Sequence, residues 1–328
     1  MKVCIVGAGA IGGLVATRLA VAGRAQVSAI ARGATLDALS EHGWRLSDPR
    51  GASGAPARVT SDPRDLGEQD LVILAIKAPA LRGAATGIAP LIGPQTVVMP
   101  AMNGVPWWFV AKIPAMAGAP LQSIDPGGEI SRAIPLHHVI GCVVHLAATT
   151  THPGVVRHVM GNRLIIGEPA GGRSDRVTRI AQLLEDAGFE VVQSNDIRRD
   201  IWYKLWGNMT MNPVTAITGA TADRVLADPL VREFNSAVMR EAAAIGARIG
   251  CPIEETPEDR HQVTARLGAF RTSMLQDVEA GRPIELDALL GAVVELGQRV
   301  GVPAPCTEAL FGLARLFGRV HGLYPEAP

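Results

Sequence analysis

At 328 residues the chain exceeds the length at which a single hydrophobic core stops growing, so two domains are expected. Its 31 basic and 31 acidic side chains cancel, which leaves no field for a nucleic-acid backbone or an anionic membrane surface. No apolar stretch approaches membrane-spanning length without Gly, Pro or charge, and four isolated cysteines read as reduced packing residues suited to a cytoplasm.

The chain opens on the apolar run Lys2 to Val6 with no charged leader before it, so no targeting segment is expected. That strand runs into Gly7-Ala8-Gly9-Ala10-Ile11-Gly12 and a helix that closes at Gly23. This is the G-x-G-x-x-G pattern in its strand-turn-helix setting: Gly7 for the tight turn, Gly9 for approach of a pyrophosphate, Gly12 for packing helix on strand. A second strand, Gln26 to Ala31, ends in Arg32-Gly33 where an NAD-binding protein would carry a carboxylate. A carboxylate repels a ribose 2′-phosphate and a guanidinium pairs with it, so Arg32 favours NADPH over NADH. The bland alternative is a solvated surface arginine. Lys77 follows the run Leu71 to Ile76, at a strand's C-terminal end, and reads as a second cofactor contact or a loop lysine.

Further strands are expected at Thr96 to Met99, His138 to Leu146 and Arg163 to Ile166, a rhythm of parallel strands and crossovers in which the later strands could also pair antiparallel. His137, His138, His145, His152 and His158 span this region without a compact ligand motif, so no metal is expected. One amphipathic helix, Ser174 to Ala187, and a short strand, Glu190 to Gln193, complete the first half. The fold class is therefore an α/β Rossmann-type dinucleotide-binding domain followed by a mainly α-helical C-terminal domain. The expected boundary divides residues 1–194 from 195–328.

The second half opens with helical periodicity from Asp196 to Pro213, where Ile197, Ile201, Leu205 and Met209 repeat every four residues as a core stripe. Lys204, Asn208 and Asn212 share another face at the same spacing, and Trp202 and Trp206 add bulk that turns this face toward a cleft. A desolvated lysine among donors and acceptors is suited to act as general acid for a carbonyl oxygen, with the amides fixing substrate oxygens. The residues alone allow a second account, in which Asp200 and Lys204 form an exposed ion pair and Asn212-Pro213 ends or kinks the helix. Asp228-Pro229 starts a helix expected to reach about Gly250. Ser273 and Asp277 lie four apart on a later helix, and Gly281-Arg282-Pro283 interrupts before Glu285, which taken alone reads as a helix cap or dipole partner. The helices offer several apolar faces from which a homodimer could be built.

Together these residues resemble the ketopantoate reductase (2-dehydropantoate 2-reductase) family over nearly the whole chain. The resemblance rests on Gly7 to Gly12, Ala31-Arg32-Gly33, Lys77, Asn103-Gly104, Pro153-Gly154-Val155, the Lys204, Asn208, Asn212-Pro213 series, and Ser273 followed twelve residues later by Glu285. It implies an NADPH-dependent reductase of a small 2-keto acid, with ketopantoate the leading substrate and pantothenate biosynthesis the setting. It also implies that Lys204 is the general acid, that Glu285 assists it, that Asn208, Asn212 and Ser273 hold substrate, and that Asn103 lies near the nicotinamide end. One stretch departs from the family pattern: Val105-Pro106-Trp107-Trp108-Phe109. It reads as packing against the second domain or, if it lines the pocket, as a sign of a bulkier or aromatic 2-keto acid. Two further readings remain, a related dehydrogenase oxidising a hydroxy acid or sugar phosphate, and a non-catalytic NADPH-binding sensor. A sensor would have no need to keep Lys204, Asn208, Ser273 and Glu285 together.

Overall fold

The computed structural model describes residues 1–49, 51–116 and 118–326. The chain divides into two compact units, one of Met1–Met102 with Glu129–Asp200, the other of Asn103–Gly128 with Ile201–Pro328. The sequence boundary after Ser194 thus falls slightly early, because Ser194 hydrogen-bonds Asp200 in the first turn of the next helix. More importantly, Asn103–Gly128, expected within the first domain, belongs to the second unit.

The first unit is built on strands β1 (Lys2–Val6), β2 (Gln26–Ile30), β5 (Arg58–Thr60), β6 (Leu71–Leu74) and β7 (Val97–Pro100), all parallel, in the order β5-β2-β1-β6-β7. Helices α1 (Ala10–Ala22), α2 (Gly33–His42) and α3 (Ala78–Gly87) each follow one of these strands. The chain moves from β1 to one side through β2, then returns to β6 on the other, so the carboxyl ends of β1 and β6 form the switch point at which open α/β sheets bind ligands. Gly7 sits there with φ +96°, and a side chain on it would meet Ile76 at 2.5 Å.

A second sheet, in the order β10-β9-β3-β4 with β8 on β9, closes over the same core. Its strands are β3 (Trp44–Asp48), β4 (Gly51–Ala55), β8 (Gly141–His152), β9 (Val155–Gly167) and β10 (Glu190–Gln193). The long β8–β9 hairpin is antiparallel and β9 is parallel to β3 and β10. Helix α1 packs on strands of both sheets and is buried almost all round, as its run of Gly, Ala, Leu and Val requires. Its one charge, Arg18, is 7% exposed, lies 3.9 Å from Asp48, bonds Asn162 and stacks over Phe189. Helix α5 (Asp175–Asp186) matches the expected amphipathic helix, capped by Ser174. The short helix α4 (Glu129–Ala133) returns the chain to this unit, tied by Glu129 to Arg82 of α3.

The second unit is helical. Helix α6 (Ile197–Thr218) carries the expected stripe, and all of Ile197, Ile201, Leu205 and Met209 are buried. It runs through Pro213 instead of ending there, and the Thr215 hydroxyl takes up the Met211 and Asn212 carbonyls at 2.7 and 3.1 Å. Its Trp202 and Trp206 indoles donate to Ala242 and Met239 of α8 (Pro229–Arg248), a helix capped as expected by Asp228. Helices α7 (Ala222–Ala227), α9 (Pro257–Ala265), α10 (Ser273–Glu279), α11 (Ala292–Val300) and α12 (Pro305–Val320) complete it, with a π-helical turn at Asp287–Gly291 leading into α11. No helix is long and apolar enough to cross a membrane among the described residues. Cys4, Cys142 and Cys251 are buried, and Cys306 is half-buried.

A methyl group at Gly12 would lie 2.0 Å from the Gly7 carbonyl oxygen, whereas one at Gly9 meets nothing within 4 Å. Gly12→Ala is therefore expected to lower stability by about 1–3 kcal/mol in urea unfolding. Gly9→Ala should stay within about 1 kcal/mol of the parent.

Candidate active site

Two groups of candidate site residues lie one in each unit. In the first, Gly7, Ala8, Gly9, Ala10, Ile11 and Gly12 form the turn between β1 and α1, with Gly9 as the N-cap of α1. Gly7 and Gly12 are closed in by the protein, but the space above Gly9 is open. The first turn of α1 carries no acidic residue, so its free amides and helix dipole are unopposed. Arg32 caps α2 at the end of β2 and is exposed, and Lys77 caps α3 just beyond β6 and is half-buried. Amides at α1 and an open patch above Gly9 fit the pyrophosphate of a nicotinamide dinucleotide.

In the second unit, Lys204 and Asn208 are half-buried on α6 and Asn212 is 6% exposed. The Lys204 ammonium donates to Asn103 Oδ1 at 2.8 Å. Asn103 reaches it because the chain after β7 crosses onto this unit and lies against the π-helical turn. Val105 N–H donates to the Ala288 carbonyl at 2.8 Å, and Gly104 adopts φ +81° where any side chain would sit 2.5 Å from the same oxygen. The turn beginning two residues after Glu285, itself half-buried, is thereby packed on Asn103-Gly104. Ser273 arrives by a separate tie: it is exposed as the first residue of α10, whose N-cap Thr272 shares a 2.6 Å hydroxyl contact with Thr215, one turn past Asn212 on α6. The structure joins Lys204 to Asn103 directly, and ties the element after Glu285 to the Asn103 segment through Ala288 and the helix of Ser273 to α6 through Thr272.

The aromatic cluster after Asn103 packs into the second unit. Trp107 and Trp108 are each 3% exposed, and the Phe109 ring stacks on Trp202 with centroids 6.0 Å apart. A clamp that the sequence reading missed secures the far end of the crossing segment. Glu295 of α11 accepts the Gln122 and Ser123 amides, both at 2.8 Å, and the Ser123 hydroxyl at 2.7 Å. Arg299 donates to the Ala119 and Pro120 carbonyls and to Glu295. The only sequence signal was the i,i+4 spacing of Glu295 and Arg299, common on exposed helices. The histidines follow separate paths: His138 bonds the Thr96 carbonyl at 2.8 Å and His158 bonds that of Gly161. Among the described residues no three metal-ligating side chains stand together.

Comparison with known proteins gives the family. The family model for ketopantoate reductase PanE/ApbA matches residues 3–171, and the model for its C-terminal part matches residues 196–317. The chain belongs to the ketopantoate reductase family. It is 44% identical to the 2-dehydropantoate 2-reductase of Mesorhizobium japonicum over 99% of this chain and 100% of that protein. It is 31% identical to the 2-dehydropantoate 2-reductase of Archaeoglobus fulgidus, covering 96% and 97% of the two chains. The crystal structure of a candidate ketopantoate reductase from Ralstonia solanacearum MolK2 superposes with a TM-score of 0.95 at 56% identity, covering 98% of this chain and 99% of that one. The protein is thus a dinucleotide-dependent oxidoreductase acting on a keto group.

Burial pushes the Glu295 carboxyl up, but the Ser123 and Gln122 hydrogen bonds and the Arg299 charge outweigh it and hold the group below the ordinary 4.5 of a glutamate. A carboxyl depressed in the folded state contributes stability that is fully present above that ordinary value and lost as pH falls through the lower folded one. The urea midpoint should therefore fall more steeply in the parent than in Glu295→Gln as pH drops below the ordinary glutamate value of 4.5.

Proposed function

We propose that the protein reduces 2-dehydropantoate (ketopantoate) to pantoate with NADPH. The observation that carries this reading is the Lys204 ammonium, held 2.8 Å from Asn103 Oδ1 on a half-buried face that also bears Asn208 and Asn212. When bound, the nicotinamide supplies the hydride to the keto carbon. Lys204 then has the protein's part of the chemistry: its N–H donors stabilise the charge gathering on the keto oxygen and give it a proton, forming the hydroxyl. Asn103 fixes one of the three ammonium hydrogens, which orients the others. Glu285 assists Lys204 at the reacting oxygen. Asn208, Asn212 and Ser273 anchor the substrate's carboxylate and hydroxyl oxygens, and Asn103 meets the nicotinamide end. Gly7 to Gly12 and Lys77 hold the dinucleotide, with Arg32 pairing the 2′-phosphate that separates NADPH from NADH.

Burial of Trp107 and Trp108 supports ketopantoate over a bulkier 2-keto acid, because side chains packed in the interior do not reshape a pocket wall. The proton-donor arrangement gives no support to a sensor without chemistry.

The test is NADPH oxidation by purified protein against a panel of 2-keto acids that includes ketopantoate. Ketopantoate should be turned over best, and Lys204→Ala should lower kcat by about 10²–10⁴-fold. Preferential turnover of an aromatic 2-keto acid would overturn the substrate, and an unchanged Lys204→Ala would overturn the mechanism. Arg32→Ala should raise KM for NADPH about tenfold while leaving that for NADH nearly unchanged. Gly9→Ala, tolerated by the fold, should weaken NADPH in fluorescence titration.

A further inference from the structure

The chain does not end at α12. After His321 it turns back at Gly322, and the Leu323 and Tyr324 amides both return to the Gly318 carbonyl, at 2.7 and 3.2 Å. The returning segment grips the stretch that carries Glu285 at two points. Ile284 N–H donates to the Leu323 carbonyl at 3.0 Å, and the Tyr324 phenol donates to Asp287 Oδ1 at 2.6 Å. Glu285 lies between these two tethers. A phenol at that distance from a carboxylate is a charge-assisted bond, among the stronger kinds a protein makes.

Asp287 is also the first residue of the π-helical turn, a geometry less favourable than α-helix that persists where something outside the helix holds it. Nothing in Asp287-Ala288-Leu289-Leu290-Gly291 demands a widened turn on its own. Two external ties act on it: Tyr324 on Asp287, and the Val105 amide on the Ala288 carbonyl. The second tie belongs to the segment whose Asn103 orients Lys204. A continuous path therefore runs from the Tyr324 phenol through Asp287 and Ala288 to Asn103 and the lysine, with Glu285 beside its start.

We propose that Tyr324 and Asp287 are a positioning pair that fixes the π-helical turn, and through it sets the placement of Glu285, Asn103 and the Lys204 ammonium. The proposal rests on the reading of Lys204 and Glu285 as the proton-handling groups. Neither Tyr324 nor Asp287 touches substrate in this account. The backbone bonds of Leu323 and Tyr324 keep the tail in place when only the phenol oxygen is removed, so the turn loosens while the fold stays.

Tyr324→Phe, Asp287→Ala and Asp287→Asn in the full-length chain test it, with amide hydrogen exchange and steady-state kinetics read side by side. Tyr324→Phe should speed exchange at the Val105 amide about tenfold and leave β1 and β6 unchanged. It should also lower kcat with ketopantoate about tenfold at unchanged KM for NADPH, a split that general destabilisation does not produce. Asp287→Asn keeps an acceptor for the phenol and should stay within about threefold of the parent, while Asp287→Ala should match Tyr324→Phe even if the latter folds poorly. Parent-like exchange at Val105, or parent-like kcat, in both Tyr324→Phe and Asp287→Ala would overturn the proposal. If the parent protein itself reduces no 2-keto acid, the functional reading fails separately, and the Val105 exchange alone decides whether Tyr324 governs the turn.

Discussion

The backbone at Gly104 approaches Ala288 so closely that no side chain fits between them, and much of the candidate site depends on that contact. It lets the chain leaving β7 lie flat on the π-helical turn, where the Val105 amide finds the Ala288 carbonyl. Asn103, one residue earlier, is then carried to the Lys204 ammonium. A hydrogen bond of ordinary strength contributes little net stability, but here it removes freedom from a long and flexible side chain whose direction matters to the proposed chemistry. The Glu295 and Arg299 clamp does the same work at the other end of the crossing segment, using a half-buried carboxylate that stays ionised because three donors from one loop face it.

What could be read from the residues were features with short-range causes. The glycine turn after β1, the Ser174 cap of α5, the Asp228-Pro229 start of α8 and the four-residue spacing of Lys204, Asn208 and Asn212 each lie within one or two turns of chain. They announce themselves through local stereochemistry or period. The misses have long-range causes. Gly51–Ala55 shows no alternation of its own and becomes a strand by pairing with Trp44–Asp48. Pro213 reads as a helix breaker, yet the helix continues past it. Asn103–Gly128 follows a Rossmann strand in sequence but is fastened to residues far along the chain, Ala288, Glu295 and Arg299, which no local pattern connects to it. Asn103 was identified as a site residue by resemblance to a family, not by any signal of its own.

The same contrast separates the two sets of site residues. Those of the glycine turn are positioned by backbone geometry alone, at the end of a strand buried on both faces, and their neighbours are fixed by the register of β1 with β2 and β6. The polar residues of the second unit are positioned by side chains meeting across elements. Thr272 on Thr215 brings Ser273, Ala288 under Gly104 brings Asn103, and the buried Trp202 and Trp206 lock α6 against α8. One group depends on conformation, the other on packing, and substitutions should be tolerated differently in each.

A π-helical turn is an α-helix with one residue inserted. Deleting a single residue between Leu286 and Gly291 would restore a regular helix, in which the carbonyl that now receives the Val105 amide is turned to an amide four residues on. The crossing segment would then lose its acceptor, whatever side chains were kept around it. Changes of length, ordinarily absorbed by loops, would therefore cost this turn its hold on the crossing segment even where every polar residue of the candidate site is kept.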